Sequence, residues 1–233
     1  MTREVVPTFD QWLKWAFEHP GETEWNDKWS HTSYTWQSGR WLEQSPTVGL
    51  EFVSKLFENP LEYLSSYSDE QIDEGLYFIV STARSDHFYC LVEGDVDIAL
   101  RRRCIRSIEV LTRELFAPRC SDNVWIYTKP LNHICDMLWD IVVYCTNCTD
   151  WNSDRALWGV RNPQIDEELL DTLSRILAIP SVACQQSALH GLGHLVNFAG
   201  LGSSVIQQFL DDNPDLSSDL RDYAQNAVVG RVM

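Results

Sequence analysis

The chain has 233 residues, of which 44% are hydrophobic and 12% aromatic, and a formal net charge of -16. That apolar content excludes global disorder and supports a sizeable core in one domain spanning 1–233, with a subdivision into 1–150 and 164–233 as the alternative. The acidity repels phosphate backbones and anionic lipid, so neither nucleic acid nor a membrane is expected as a partner; a basic protein would be attracted.

The charge is uneven along the chain. Residues 1–100 hold 18 acids and 6 bases, residues 101–163 hold 7 and 9, and residues 164–233 hold 9 and 3. The first residues, MTREVVPTFD, contain no apolar stretch of signal-peptide length, and no run of about 18 apolar residues occurs to span a bilayer. Seven cysteines, Cys90, Cys104, Cys120, Cys135, Cys145, Cys148 and Cys184, are scattered mostly at helical positions. An odd, dispersed count fits buried thiols in a reducing compartment, so a cytoplasmic location is expected.

Helical signals recur from the N-terminus onward. Thr8-Phe9-Asp10-Gln11 reads as a capping box, followed by a stripe of Phe9, Trp12, Leu13, Ala16 and Phe17 that Pro20-Gly21 stops. Residues 20–44 are aromatic and aperiodic and include Trp25, Trp29, Trp36 and Trp41. Pro46 opens a second helix with Leu50, Val53, Leu56 and Phe57 inward, which stops at Asn59-Pro60. Ser68-Asp69-Glu70-Gln71 is another capping box, with Ile72, Leu76, Ile79, Val80 and Ala83 on one face behind it. Residues 96–116 predict a longer helix ended by Pro118, and residues 130–145 another, lined by Leu131, Ile134, Leu138, Ile141 and Val142. Residues 146–163 are irregular. Only Asn123 to Tyr127 reads as a strand, so the fold class is all-α.

After Pro163 a helix carries Leu169, Leu170, Leu173, Ile176 and Leu177 and breaks at Ile179-Pro180. A second runs from Ser181 to about Phe198, where Gly200 and Gly202 end it. A short helix follows over Ser203 to Leu210, and Ser217 or Ser218 caps a last one with Leu220, Tyr223, Ala224, Ala227 and Val228 inward. The segment Cys184-Gln185-Gln186-Ser187-Ala188-Leu189-His190-Gly191-Leu192-Gly193-His194-Leu195 resembles the second helix of a HEAT repeat. Cys184 takes its opening apolar place, Ser187, Ala188 and Gly191 the small ones, and Leu192-Gly193 its apolar-Gly pair. The resemblance is strongest over 166–198 and weaker over 200–231. It implies stacked antiparallel helix pairs, an irregular α-solenoid, and a binding surface rather than a chemistry. In that frame His190 and His194 take polar places and are expected to look outward. The two glycines inside this helix each cost roughly 1 kcal/mol relative to Ala, so close contacts must offset them.

Several groups could carry chemistry. His190 and His194 are four apart, share a helical face and could chelate a metal. No Glu lies between them and no third ligand is evident from the sequence, so neither a metal nor any other cofactor is expected. His133, Asp136 and Asp140 share a second stripe that could bind a metal or move protons, or simply face water. Cys145-Thr146-Asn147-Cys148 lacks the second pair that zinc needs, and Cys120, His133 and Cys135 could complete such a site only through folding. Arg101, Arg102, Arg103 and Arg106 cover a wide helical arc, which suits pairing with this chain's own acids. No serine elbow, phosphate loop or dinucleotide fingerprint is present. The reading these features favour is a non-enzymatic protein-interaction module for a basic partner, of the bacterial immunity type. His190, His194, Trp25, Trp29 and Trp36 are its candidate contacts. A metal-dependent enzyme using His190 and His194 with Asp136 or Asp140, and a small-molecule module with an aromatic N-terminal cleft, are the alternatives.

Overall fold

The computed structural model describes residues 8–18, 46–81, 88, 91, 96–122, 129–147 and 162–232, with side chains in the sixth segment as far as Val143. Trp25, Trp29, Trp36, Trp41, the strand-like Asn123 to Tyr127, Cys90 and Cys148 lie outside the described residues, as does the Cys145 side chain. Among the described residues every regular element is helical. The helices are α1 (Phe9–Phe17), α2 (Pro46–Glu58), α3 (Pro60–Leu64), α4 (Asp69–Val80), α5 (Ile98–Leu111), α6 (Pro130–Asn147), α7 (Pro163–Leu177), α8 (Val182–Ala199), α9 (Ser203–Asp212) and α10 (Ser218–Val228). None of them is long and apolar enough to cross a membrane.

Local chemistry sets the helix starts. Thr8 and Gln11 form a reciprocal capping box on α1, and Ser68 and Gln71 form another on α4. Each satisfies two backbone donors that a helix end otherwise leaves bare. Asp97, Asn162 and Ser217 cap α5, α7 and α10 through side-chain oxygens. Gly200 ends α8 in the left-handed region at φ 65, which any residue with a Cβ adopts at a cost.

Pro118 does not end its helix where the sequence reading put the stop. The chain leaves α5 through a π turn, Thr112–Phe116, and one further α turn, Ala117–Arg119. A proline cannot donate to the carbonyl four residues back and its ring crowds that carbonyl. Widening the backbone over 112–116 accommodates this, with the Ala117 N–H reaching back to the Thr112 carbonyl.

The helices pack as neighbours two apart along the chain from α4 onward, and three apart across the short α3. α2 packs on α5 and α5 on α7; α1 packs on α4, α4 on α6, α6 on α8 and α8 on α10. Contacts of α7 with α8 join the two rows, and α9 packs on α10. Helices on either side of residues 148–161 are therefore in direct contact. Ion pairs lace the first row. Arg103 holds Glu58 of α2 through two bonds of 2.7 and 2.6 Å, and Arg102 and Arg106 both hold Glu168 of α7 at 2.7–2.9 Å. Glu168 is only 2% exposed; burial raises its pKa, but the Arg106 and Arg102 guanidiniums outweigh that and hold it below the usual range. The arginine cluster is thus used inside the molecule.

Candidate functional site

Helix α8 sits among α6, α7, α9 and α10, and its side chains are buried almost all round. Its small residues permit this. A Cβ on Gly191 would lie 2.6 Å from Leu173 Cδ2 of α7 and 3.0 Å from Trp139 Cγ of α6. A Cβ on Gly193 would lie 2.5 Å from Val232 Cγ1, where the C-terminal tail crosses the helix. The close contacts demanded by two mid-helix glycines are present.

The crowding overturns the expected orientation of the histidines. His190 is 1% exposed and the His194 side chain 19%: both imidazoles turn inward, because α6 and α10 cover the face that an edge helix would leave to solvent. Both ring nitrogens of His190 meet polar partners there. Its Nε2 lies 2.8 Å from Asp140 Oδ1 of α6, and its Nδ1 2.6 Å from the Tyr223 hydroxyl of α10. His194 Nε2 lies 2.7 Å from the same Asp140 oxygen and 3.0 Å from His190 Nε2. The imidazole rings stand nearly perpendicular, at 85°, and the His194 ring lies near Phe198.

Three donor atoms from two helices thus converge on one point. Each imidazole Nε2 offers a single in-plane direction, occupied by either a proton or a lone pair. It can serve one straight hydrogen bond. A closed triangle of three contacts asks for more than the two ring nitrogens can give. If both donate to Asp140, two Nε2–H groups stand side by side 3.0 Å apart. If one donates to the other, the acceptor's lone pair adjoins the carboxylate. A cation at the convergence point would satisfy all three lone pairs at once.

Electrostatics are strongly perturbed here. Burial pushes the Asp140 carboxyl up, but contacts from His190 and His194 outweigh it and hold the group well below the usual carboxylate range. Burial pushes His190 down, but the Asp140 hydrogen bond and the charges of Asp136 and Asp140 raise it above its ordinary value. The Asp140 side chain is 31% exposed, so the centre opens to solvent beside His194.

The stripe of His133, Asp136 and Asp140 is divided by packing. Asp140 joins the centre and Asp136 acts on His190 through its charge. His133 faces α4 instead, with Nδ1 3.5 Å from Asp73 Oδ1 and its side chain 43% exposed. Cys120 and Cys135 are both buried, whereas the His133 side chain is partly exposed beside Asp73. Of the two carboxylates that the sequence reading set beside the histidine pair, Asp136 and Asp140, it is Asp140 that reaches both rings, and Tyr223 was legible only as an inward residue. The accessible signal was the run of Ser187, Ala188, Gly191 and Gly193, which marks a helix approached from several sides and so with little outward face. The chain matches no protein-family model, and it matches no curated protein and no solved structure.

Proposed function

We propose that this chain is a divalent-metal protein, and through the open positions of its centre a metal-dependent enzyme, with Asp140, His190 and His194 as ligands. The observation that carries the reading is the convergence of one carboxylate oxygen and two imidazole nitrogens within 3.0 Å of one another. Atoms so spaced, each about 2.1 Å from a common ion, subtend roughly 80–90° at it, nearer an octahedral face than a tetrahedron. Two imidazoles and one carboxylate on one face suit six-coordinate Fe(II), Mn(II) or Co(II). Structural zinc sites are closed by four protein ligands, whereas three leave room for water or substrate. An ion bound there supplies Lewis-acid polarisation of an oxygen ligand.

The protein's own groups have defined parts. Ligation through His190 Nε2 puts its proton on Nδ1, which then donates to the Tyr223 hydroxyl and fixes the ring. Asp140 supplies the negative charge, and Asp136 adds to the field on His190. Elemental analysis of protein purified without chelator tests the reading. About one equivalent of metal, lost in Asp140→Ala and His194→Ala, is expected. Absence of stoichiometric metal, together with no calorimetric response to Fe(II), Mn(II), Co(II) or Zn(II), ends it.

A second reading is favoured by a separate observation, the packing of α4 on α6, α5 on α7, α6 on α8 and α8 on α10, each pair two helices apart along the chain. Stacked HEAT-like pairs produce that pattern, and with a net charge of -16 they would offer a surface for a basic protein, as an immunity-type protein does. Capture of a basic partner at low salt and its release at high salt supports this; salt-insensitive behaviour with no partner recovered opposes it. His190, 1% exposed, is not a contact in either case.

A further inference from the structure

We infer that Arg102 and Arg106 of α5 and Arg175 of α7 form a binding site for a small phosphate dianion, free or as a monoester. None of these residues belongs to the metal centre, so the site is independent of that reading. Its basis is an excess of positive charge gathered around one buried acid. Glu168 Oε2 accepts from Arg102 Nε at 2.9 Å and from Arg106 Nη2 at 2.7 Å, and its Oε1 accepts from Arg106 Nε at 2.9 Å. Arg175 Nη2 stands 3.8 Å from the same Oε1, a third cation beside that carboxylate. The three guanidiniums therefore converge rather than spread along their helices.

Many of their donors are left over. A guanidinium carries five N–H groups. Arg102 uses only Nε, and Arg106 only Nε and Nη2, so both terminal nitrogens of the first and Nη1 of the second meet no acceptor among the described residues. The Nε of Arg175 is buried and also meets no acceptor among the described residues. A buried donor of that kind is costly until an oxygen reaches it. The three side chains keep a face in solvent, at 33%, 54% and 40% exposure, so an ion can enter from outside.

Charge selects the ligand. Three guanidiniums against Glu168 leave two positive charges, which a dianion matches. Asp171 now supplies part of that match: it holds Arg175 Nη1 at 2.8 Å, and its charge also acts on Arg106. Its side chain is 58% exposed, and a water-screened pair of that kind yields to a stronger acceptor. Glu109, farther along α5, is held by Arg113. Guanidinium forks fit phosphate oxygens two at a time, which favours phosphate over a singly charged acid. The net charge of -16 repels anions from afar, but salt screens it over about 8 Å, whereas these contacts act at hydrogen-bond distance.

Calorimetric titration of the full chain at pH 8 with inorganic phosphate tests this, with O-phosphoserine and acetate as the other arms. Saturable one-to-one phosphate binding is expected, about tenfold or more tighter than acetate. Tighter binding of O-phosphoserine than of phosphate identifies an ester as the ligand, and the reverse order the free ion. Arg175→Gln leaves the three Glu168 bonds in place and should weaken phosphate binding about tenfold. Asp171→Asn releases Arg175 and removes a negative charge, and should tighten it about threefold to tenfold. A purely structural ion network has no reason to give these opposite signs. No saturable phosphate binding by the wild type, acetate bound as tightly as phosphate, or both variants shifting affinity the same way overturns the proposal.

Discussion

Adding one methyl group to α8 at either of two glycines should have opposite consequences. In Gly191→Ala the new carbon meets Leu173 Cδ2 at 2.6 Å and Trp139 Cγ and Cδ2 at 3.0 and 3.1 Å. Leu173 is 0% and Trp139 1% exposed, so neither can swing into solvent. Helix propensity favours Ala over Gly by about 1 kcal/mol. Overpacking of a rigid core costs about 1–3 kcal/mol, and two pinned neighbours place this site in the upper part of that range. The net loss is about 1–2 kcal/mol, or a Tm lower by about 2–8 °C for a chain of this size. In Gly193→Ala every near contact comes from Val232, close to the chain end, which can move aside. There the propensity term remains, and stability should stay level or rise by up to about 1 kcal/mol. Thermal melts of both variants in chelator, followed by circular dichroism, make the comparison. Because Trp139, which the new methyl would push on, adjoins Asp140, Gly191→Ala should also weaken metal binding, and Gly193→Ala, which meets only the chain end at Val232, should not. A Gly191→Ala protein that melts at or above the wild type would refute the tight α6–α8 contact on which the centre rests.

Other outcomes follow from the same contacts. Tyr223→Phe leaves His190 Nδ1 buried without its partner, which should cost about 1–3 kcal/mol in the chelated protein and weaken metal binding by about 10–100-fold, read by denaturation and calorimetry. Co(II) at a hundredfold its Kd should stabilise the wild type by about 2.7 kcal/mol, and Asp140→Ala not at all, seen as a Tm shift. Glu168 has a depressed folded pKa, so its contribution is complete above the ordinary carboxylate value and is lost as pH falls through the folded one. Glu168→Gln should therefore flatten the stability curve below about pH 4.5, where the wild type declines, as denaturant melts across pH would show.

What the sequence disclosed divides by distance along the chain. The boxes at Thr8–Gln11 and Ser68–Gln71 are contacts between residues three apart, and both are formed. The inward stripes of α2, α4 and α7 were legible for the same reason: periodicity is local. The short α3 was read as a stop at Asn59-Pro60, although Pro60 also opens a helix as its first residue. Asp140 could be seen as a carboxylate on a mixed stripe, and His190 with His194 as a pair. Their meeting spans 50 and 54 residues and depends on which helix lies against which, a property periodicity does not carry. Cys184 was visible as the opening residue of the HEAT-like pattern, and its approach to the Thr112 carbonyl, 72 residues away, arises from the same long-range packing.

The closeness of α6 and α8 links the architecture to the chemistry. A helix with large residues at 187, 188 and 191 would stand farther from α6, and the Asp140 oxygen would then exceed hydrogen-bond reach of both imidazoles. Small residues in that helix serve a stacked scaffold equally well, so they do not separate the two functional readings. The side chains meeting across the gap do. A scaffold needs only apolar contact there, and Leu189, Leu192 and Leu195 already supply it on other sides of α8. Placing a carboxylate, two imidazoles and a phenol at the junction costs desolvation that apolar residues would avoid. That cost is the ground on which we propose the metal reading ahead of the binding surface.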